Sequence, residues 1–201
     1  YLHLPGLNAM HQGGGYLVVP KCLWWALHHG KDPKTGEQWG APTPDPNEFN
    51  SVEDLMEAYV EQVRFFAKKR AQLDNLGKAI YKNHLPRPFS SALLNGCIAR
   101  GRDGRDWSPA AVFDHSVIVG PTNVVNSMVA IEKFVFDEKK VTMKELIDAI
   151  DNDWEGREDL RQMMKNHAPK YGNDDDHVDA IAKEVHARTE KAVEETLNPF
   201  G

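Results

Sequence analysis

The spacing of apolar positions sorts the chain into a few segments of clear period. From Ser51 to the prolines of LPRPF, Leu55, Met56, Tyr59, Val63, Phe66, Leu73, Leu76 and Ile80 recur at helical intervals. Glu53, Glu57, Glu61, Lys68, Lys69 and Lys82 fill the other side. This predicts a long helix over 51–84, opened by a Ser51–Asp54 capping box and stopped at Pro86 and Pro88. SSALLNGCIARG reads as a shorter helix or turn-helix, and the β-branched run in VFDHSVIVG as a strand. Pro121 ends that strand. A helix with Val124, Val125, Met128, Ile131 and Val135 on one side follows. Thr142 and Glu145 form a capping box for a helix reaching about Asp153. WEGREDLRQMMKNH adds another helix, and the last begins near Asn173 with Asn173 or Asp174 as its cap.

Two segments lack such a period. Residues 1–20 contain no Asp, Glu, Lys or Arg and include Gly13-Gly14-Gly15. They read as a loop threaded through protein, where a buried charge would be costly. KCLWWALHHG is then a short helix closed by Gly30, and 31–50, with four prolines and two glycines, is a surface loop. With only one good strand, this piece cannot close a sheet alone, so that strand is expected to pair with strands elsewhere in the polypeptide.

Composition narrows the function. The net charge is −6 and no long basic run occurs, which argues against nucleic acid. No stretch is apolar for long enough to span a membrane. Two cysteines make no disulfide framework, so Cys22 and Cys97 read as reduced thiols of a cytoplasmic protein. The start at Tyr1 and the end at LNPFG suggest a piece of a longer polypeptide.

Candidate chemistry is sparse. The cluster Asp174, Asp175, Asp176, His177 and Asp179 invites a calcium loop. Counted from Asp174, however, position 5 is Val178, position 6 is Asp179 and position 12 is Val185, so the template fails. Acids in the first turn of a helix explain the cluster better. His3, His11, His28 and His29 show no zinc spacing. Cys97 has only Arg100 and Arg102 nearby to activate it. IVGPTNVVNS is a strand–turn–helix but neither a Walker nor a Rossmann loop, although such connections often line a cavity at a strand end.

Taken together, HHGKDPKTGEQWG, RPFSSALLNGCIARGRD, GPTNVVNSMVAIEKFVFDEKKVTMKELIDAI, WEGREDLRQ and APKYGNDDDHVD resemble the glycyl radical enzymes related to pyruvate formate-lyase, in that family's order. The resemblance implies an α/β fold, here a predominantly helical fragment of a ten-stranded β/α barrel. It covers the region between the loop of the catalytic Cys and the loop of the radical Gly, so 1–201 would be part of one catalytic domain. Neither radical motif is present. Cys97 is followed by Ala99 where the diol and choline enzymes have Glu, and Gly201 lacks a preceding Arg-Val. No catalytic residue is therefore expected in this segment, which alone should be inactive.

The resemblance also implies an anaerobic enzyme whose cofactor is a glycyl radical on a Gly outside the segment, with no metal. A radical S-adenosylmethionine activating enzyme, a small-molecule substrate and a homodimer go with it. Substrate-lining candidates are Val117, Ile118, Val119 and Pro121 at the strand end, with Asn8, Thr122 and Asn123 as weaker ones. Arg87-Pro88-Phe89, Asn126-Ser127 and Trp154-Glu155-Gly156 lean toward the arylsuccinate and alkylsuccinate synthases and arylacetate decarboxylases, as does the apolar SVIVGP loop. Alternatives are a dehydratase, a choline lyase, a formate acetyltransferase, or a non-catalytic helical interaction module.

Overall fold

A computed structural model describes residues 10–106 and 112–196. The elements, in order, are β1 (Met10–Val18), α1 (Val19–Ala26), α2 (Val52–His84), α3 (Pro88–Ala92), α4 (Cys97–Arg100), β2 (Val112–Val119), α5 (Pro121–Ile131), α6 (Met143–Asp151), α7 (Glu158–Asn166) and α8 (Asp176–Glu194). The chain divides into two compact units. One comprises 1–17, 68–117 and 197–201, and the other 18–67 and 118–196.

The second unit is a helical layer centred on α5, which packs against α8, α1 and α7. Its period places Val124, Val125 and Met128 inward, and all three are fully buried. α5 ends in a π-helical turn over Glu132–Asp137, and Phe134 is buried there. The Phe134 carbonyl accepts from the N–H groups of Lys140 and Val141, which turns the chain toward α6. The Thr142–Glu145 capping box then opens α6. The first half of α2 buries Leu55, Tyr59 and Val63, and the Tyr59 hydroxyl meets Thr189 Oγ1 of α8 at 2.8 Å. The proline-rich loop is tied to α2 by Gln62, which donates to the Ala41 carbonyl at 2.7 Å and accepts from the Ala41 N–H at 3.0 Å.

In the first unit β1 pairs with β2. Asp103 gathers the α3 region: its carboxylate accepts from the Arg87 N–H, the Ser91 hydroxyl and the Arg105 N–H. Arg105 donates to the Leu85 carbonyl and stacks over the Tyr81 ring. The motif RPFSSALLNGCIARGRD is therefore a set of turns closed on one aspartate.

Two expectations change. Residues 1–20 are not a loop throughout, because Met10–Val18 is a strand. Backbone pairing alone suffices to hold Gly13–Gly15 extended, and missing side chains do not prevent it. The strand at 112–119 accordingly finds a partner within this chain, not only beyond it. The final helix is also capped later than expected, by Asp175, whose Oδ1 accepts from the N–H groups of His177 and Val178. Asp174 itself sits in the left-handed region at φ 56°.

Candidate functional site

The strand-end candidates fall at a junction shaped by two prolines and a glycine. β1 runs directly into α1, with Pro20 in the first helical turn. β2 runs into α5 through Gly120, with Pro121 in the first turn. Gly120 has φ 82°, and a Cβ there would lie 2.6 Å from Pro20 Cγ. Only glycine meets both demands, so the two strand-to-helix turns approach closely. The Gly120 carbonyl accepts from Asn123 and Val124 N–H.

Strand periodicity sorts the side chains at this edge. At the end of β1, Leu17 is buried, while Tyr16 and Val18 are exposed on the opposite side, and Val19, the first residue of α1, is buried. On β2, Val117 and Val119 share a side, and Ile118 points the other way. Val119 is exposed, and Val117 and Ile118 are half-buried. Pro121 is half-buried, whereas Thr122 and Asn123 are exposed at the start of α5. Asn8 lies outside the described residues. Val18 and Val119 are exposed apolar side chains at the two strand ends, and Thr122 and Asn123 bring a hydroxyl and an amide at the start of α5. None of these four is charged or forms an acid–base pair. The sequence reading passed over Tyr16 and Val18. Their alternation with Leu17 and Val19 was the available signal, obscured by the three glycines before them.

The remaining chemistry-bearing groups serve the scaffold. Cys22 is buried, and burial pushes its thiol up to about 12. Cys97 is also buried. His28 Nδ1 lies 2.7 Å from the Trp24 carbonyl and Nε2 lies 2.8 Å from Asp151, tying α1 to the end of α6. Among the described residues no group of three or more His, Cys, Asp or Glu could hold a metal ion. A groove of about 970 Å³ between the 42–50 loop, α2 and α8 is lined by Glu53, Arg64 and Arg188. Its two arginines are already paired: Arg188 with Glu53, and Arg64 with Glu61 and with Glu195.

The family model "Pyruvate formate lyase-like" matches residues 2–201. The chain belongs to this family. The pyruvate formate lyase-like chain is 34% identical over 171 residues to trans-4-hydroxy-L-proline dehydratase of Clostridioides difficile, covering 85% of this chain and 22% of that protein. It is 35% identical over 191 residues to isethionate sulfite-lyase of Nitratidesulfovibrio vulgaris, covering 94% and 23%. Among solved structures, the glycerol-bound B12-independent glycerol dehydratase from Clostridium butyricum superposes with a TM-score of 0.84 at 30% identity, over 96% of this chain and 25% of that one. The chain thus spans about a quarter of the length of these relatives and has the fold of a helical portion of the glycyl radical enzyme barrel.

The lean toward hydrocarbon addition or arylacetate decarboxylation is not supported. Identity is 26% with the 4-hydroxyphenylacetate decarboxylase glycyl radical subunit of Clostridium scatologenes, against 34% with trans-4-hydroxy-L-proline dehydratase and 35% with isethionate sulfite-lyase. Several of the residues behind that lean have structural partners. Asn126 accepts the Tyr171 N–H, Trp154 and Gly156 make a left-handed turn, and the Arg87 N–H donates to Asp103. The apolar run of β2 follows from its place in a sheet and reports nothing about substrate polarity.

Proposed function

We propose that this chain is part of a glycyl radical lyase of the dehydratase type, in which a small polar substrate loses a leaving group such as water or sulfite. The supporting observation is the match along residues 2–201, with dehydratases and sulfite-lyases as similar relatives. In this reading Cys97 and Gly201 take no part in radical chemistry, because neither sits in a radical motif: Ala99 stands where the diol and choline enzymes have Glu, and Asn198-Pro199-Phe200 precedes Gly201. The glycyl radical carried elsewhere on the polypeptide supplies hydrogen-atom abstraction.

The residues in this chain shape and dry the cavity. Val18 and Val119 present an apolar wall at the strand ends, with Val117 on the same side of β2. Excluding water there protects a reactive intermediate from side reactions. Pro121 fixes the turn, and Asn123, with Thr122 and Asn8, offers hydrogen bonds to a polar substrate. Ile118, on the opposite side, serves packing. Activation by a separate radical S-adenosylmethionine enzyme, a homodimer and a cytoplasmic location complete the proposal. No described helix is long and apolar enough to cross a membrane.

The test uses the full polypeptide, activated without oxygen. A glycyl radical doublet in electron paramagnetic resonance is expected, with release of water or sulfite from a panel of trans-4-hydroxy-L-proline, glycerol, propane-1,2-diol and isethionate. Flanking sequence without a Cys loop and an Arg-Val-x-Gly loop, or an activated protein without the doublet, would sink the reading. Decarboxylation of an arylacetate, with no turnover of the panel, would refute the dehydratase assignment.

A further inference from the structure

The apolar stripe of α2 has two fates. Leu55, Tyr59 and Val63 in its first half are each 0% exposed. The same period continues through Leu73, Leu76 and Ile80, which are 69%, 59% and 46% exposed. Beyond α2, Phe89 of α3, Leu93 just after it and Ile98 of α4 are 81%, 63% and 75% exposed. Single exposed leucines need no explanation, but a helical stripe followed by three more large apolar side chains is beyond what a free surface normally carries.

We propose that this face is covered by the remainder of the same polypeptide, the portion that the matched relatives possess and these residues lack. Two observations select that occupant. The stripe is continuous with one that is already buried within the chain, so its second half asks for an extension of the same core. The relatives align with 85% to 96% of this chain, yet the chain covers only 22% to 25% of their length, so the material to cover it exists in proteins of this family. A second copy of the chain is the competing occupant. The inference rests on the reading that the chain belongs to a longer enzyme.

The test is carbene footprinting of the unmodified full polypeptide, native and unfolded in denaturant, with labelling resolved to the residue. Labelling of Leu73, Leu76, Phe89 and Leu93 is expected to be about tenfold lower in the native protein, as for side chains removed from water. That protection should not change on dilution. Native labelling close to the unfolded level would overturn the proposal. Protection that disappears on dilution would also overturn it, and would assign the face to a second copy. The outcome does not depend on radical chemistry, so it can fail while the functional reading stands, and the reverse.

Discussion

Gln62 is a buried amide whose two hydrogen bonds both go to the backbone of Ala41. Replacing it with Leu leaves a buried donor and acceptor unpaired, at about 1–3 kcal/mol for each group. Gln62→Leu is therefore expected to lower the urea midpoint more than any surface substitution, and an unchanged midpoint would contradict the role given to it. Gly120→Ala places a Cβ in the left-handed region, which costs about 1–2 kcal/mol before any clash with the Pro20 ring. Asp175→Ala removes the cap of α8 and should cost about 1 kcal/mol, whereas the full enzyme should keep its turnover number. Loss of turnover with stability intact would return the acidic cluster to the list of catalytic candidates. Thiol labelling at pH 8 should leave Cys22 unmodified in the native protein, since its thiol titrates near 12. These residue roles were only partly legible. The cluster of four aspartates announced a helix start, but which one caps it depends on backbone angles that a run of acids does not encode. Gln62 carried no signal at all, because its partner is a main-chain group reached by a loop closure.

At the scale of elements, periodicity was informative wherever side chains report a face. The long helix, α5 and the two capping boxes at Ser51 and Thr142 were readable because side-chain spacing and cap chemistry are local. β1 was not readable, because three glycines erase the alternation and its partner strand lies far along the chain. The contact between α8 and the end of α5 was also hidden. There His177 Nε2 sits 2.6 Å from Glu132. The hydrogen bond that the His177 ring N–H donates to the Glu132 carboxylate, and then that carboxylate's charge, raise His177 above the ordinary histidine value, with smaller help from Asp175 and Asp137. A raised folded value means that the contact stabilises fully below the unfolded histidine value, about pH 6.5. That contribution fades as pH rises through the folded value. Because the imidazole is largely exposed, the effect is small. Urea titrations across this range should show a pH slope that Glu132→Gln abolishes, and identical slopes would remove the pair from the account. The strand ends give a sharper contrast. Val119→Ala in the full enzyme is expected to change kcat/KM by about tenfold, whereas Ile118→Ala should lower the melting temperature and leave kcat/KM nearly unchanged. The reverse pattern would mean that the faces of β2 are assigned backwards.

For the whole molecule, motif order along the chain identified the family, and physical reading of single sites did not. Asp103, Asn126 and Asp175, which lie in the stretches that resemble the family, hold turns and a helix start together in this chain and stay silent on substrate. That is why the family was legible and its chemical branch was not. The sheet carries a further consequence. Among the described residues, β1 and β2 pair only with each other, which leaves two outer rows of peptide groups with no neighbouring strand there to hydrogen-bond. Such rows are templates for any extended segment that drifts past. Produced alone, this stretch should collect into β-rich aggregates as its concentration rises, with thioflavin fluorescence following the turbidity. A nascent enzyme would face the same hazard during synthesis, for as long as these strands wait for the neighbours that complete the sheet.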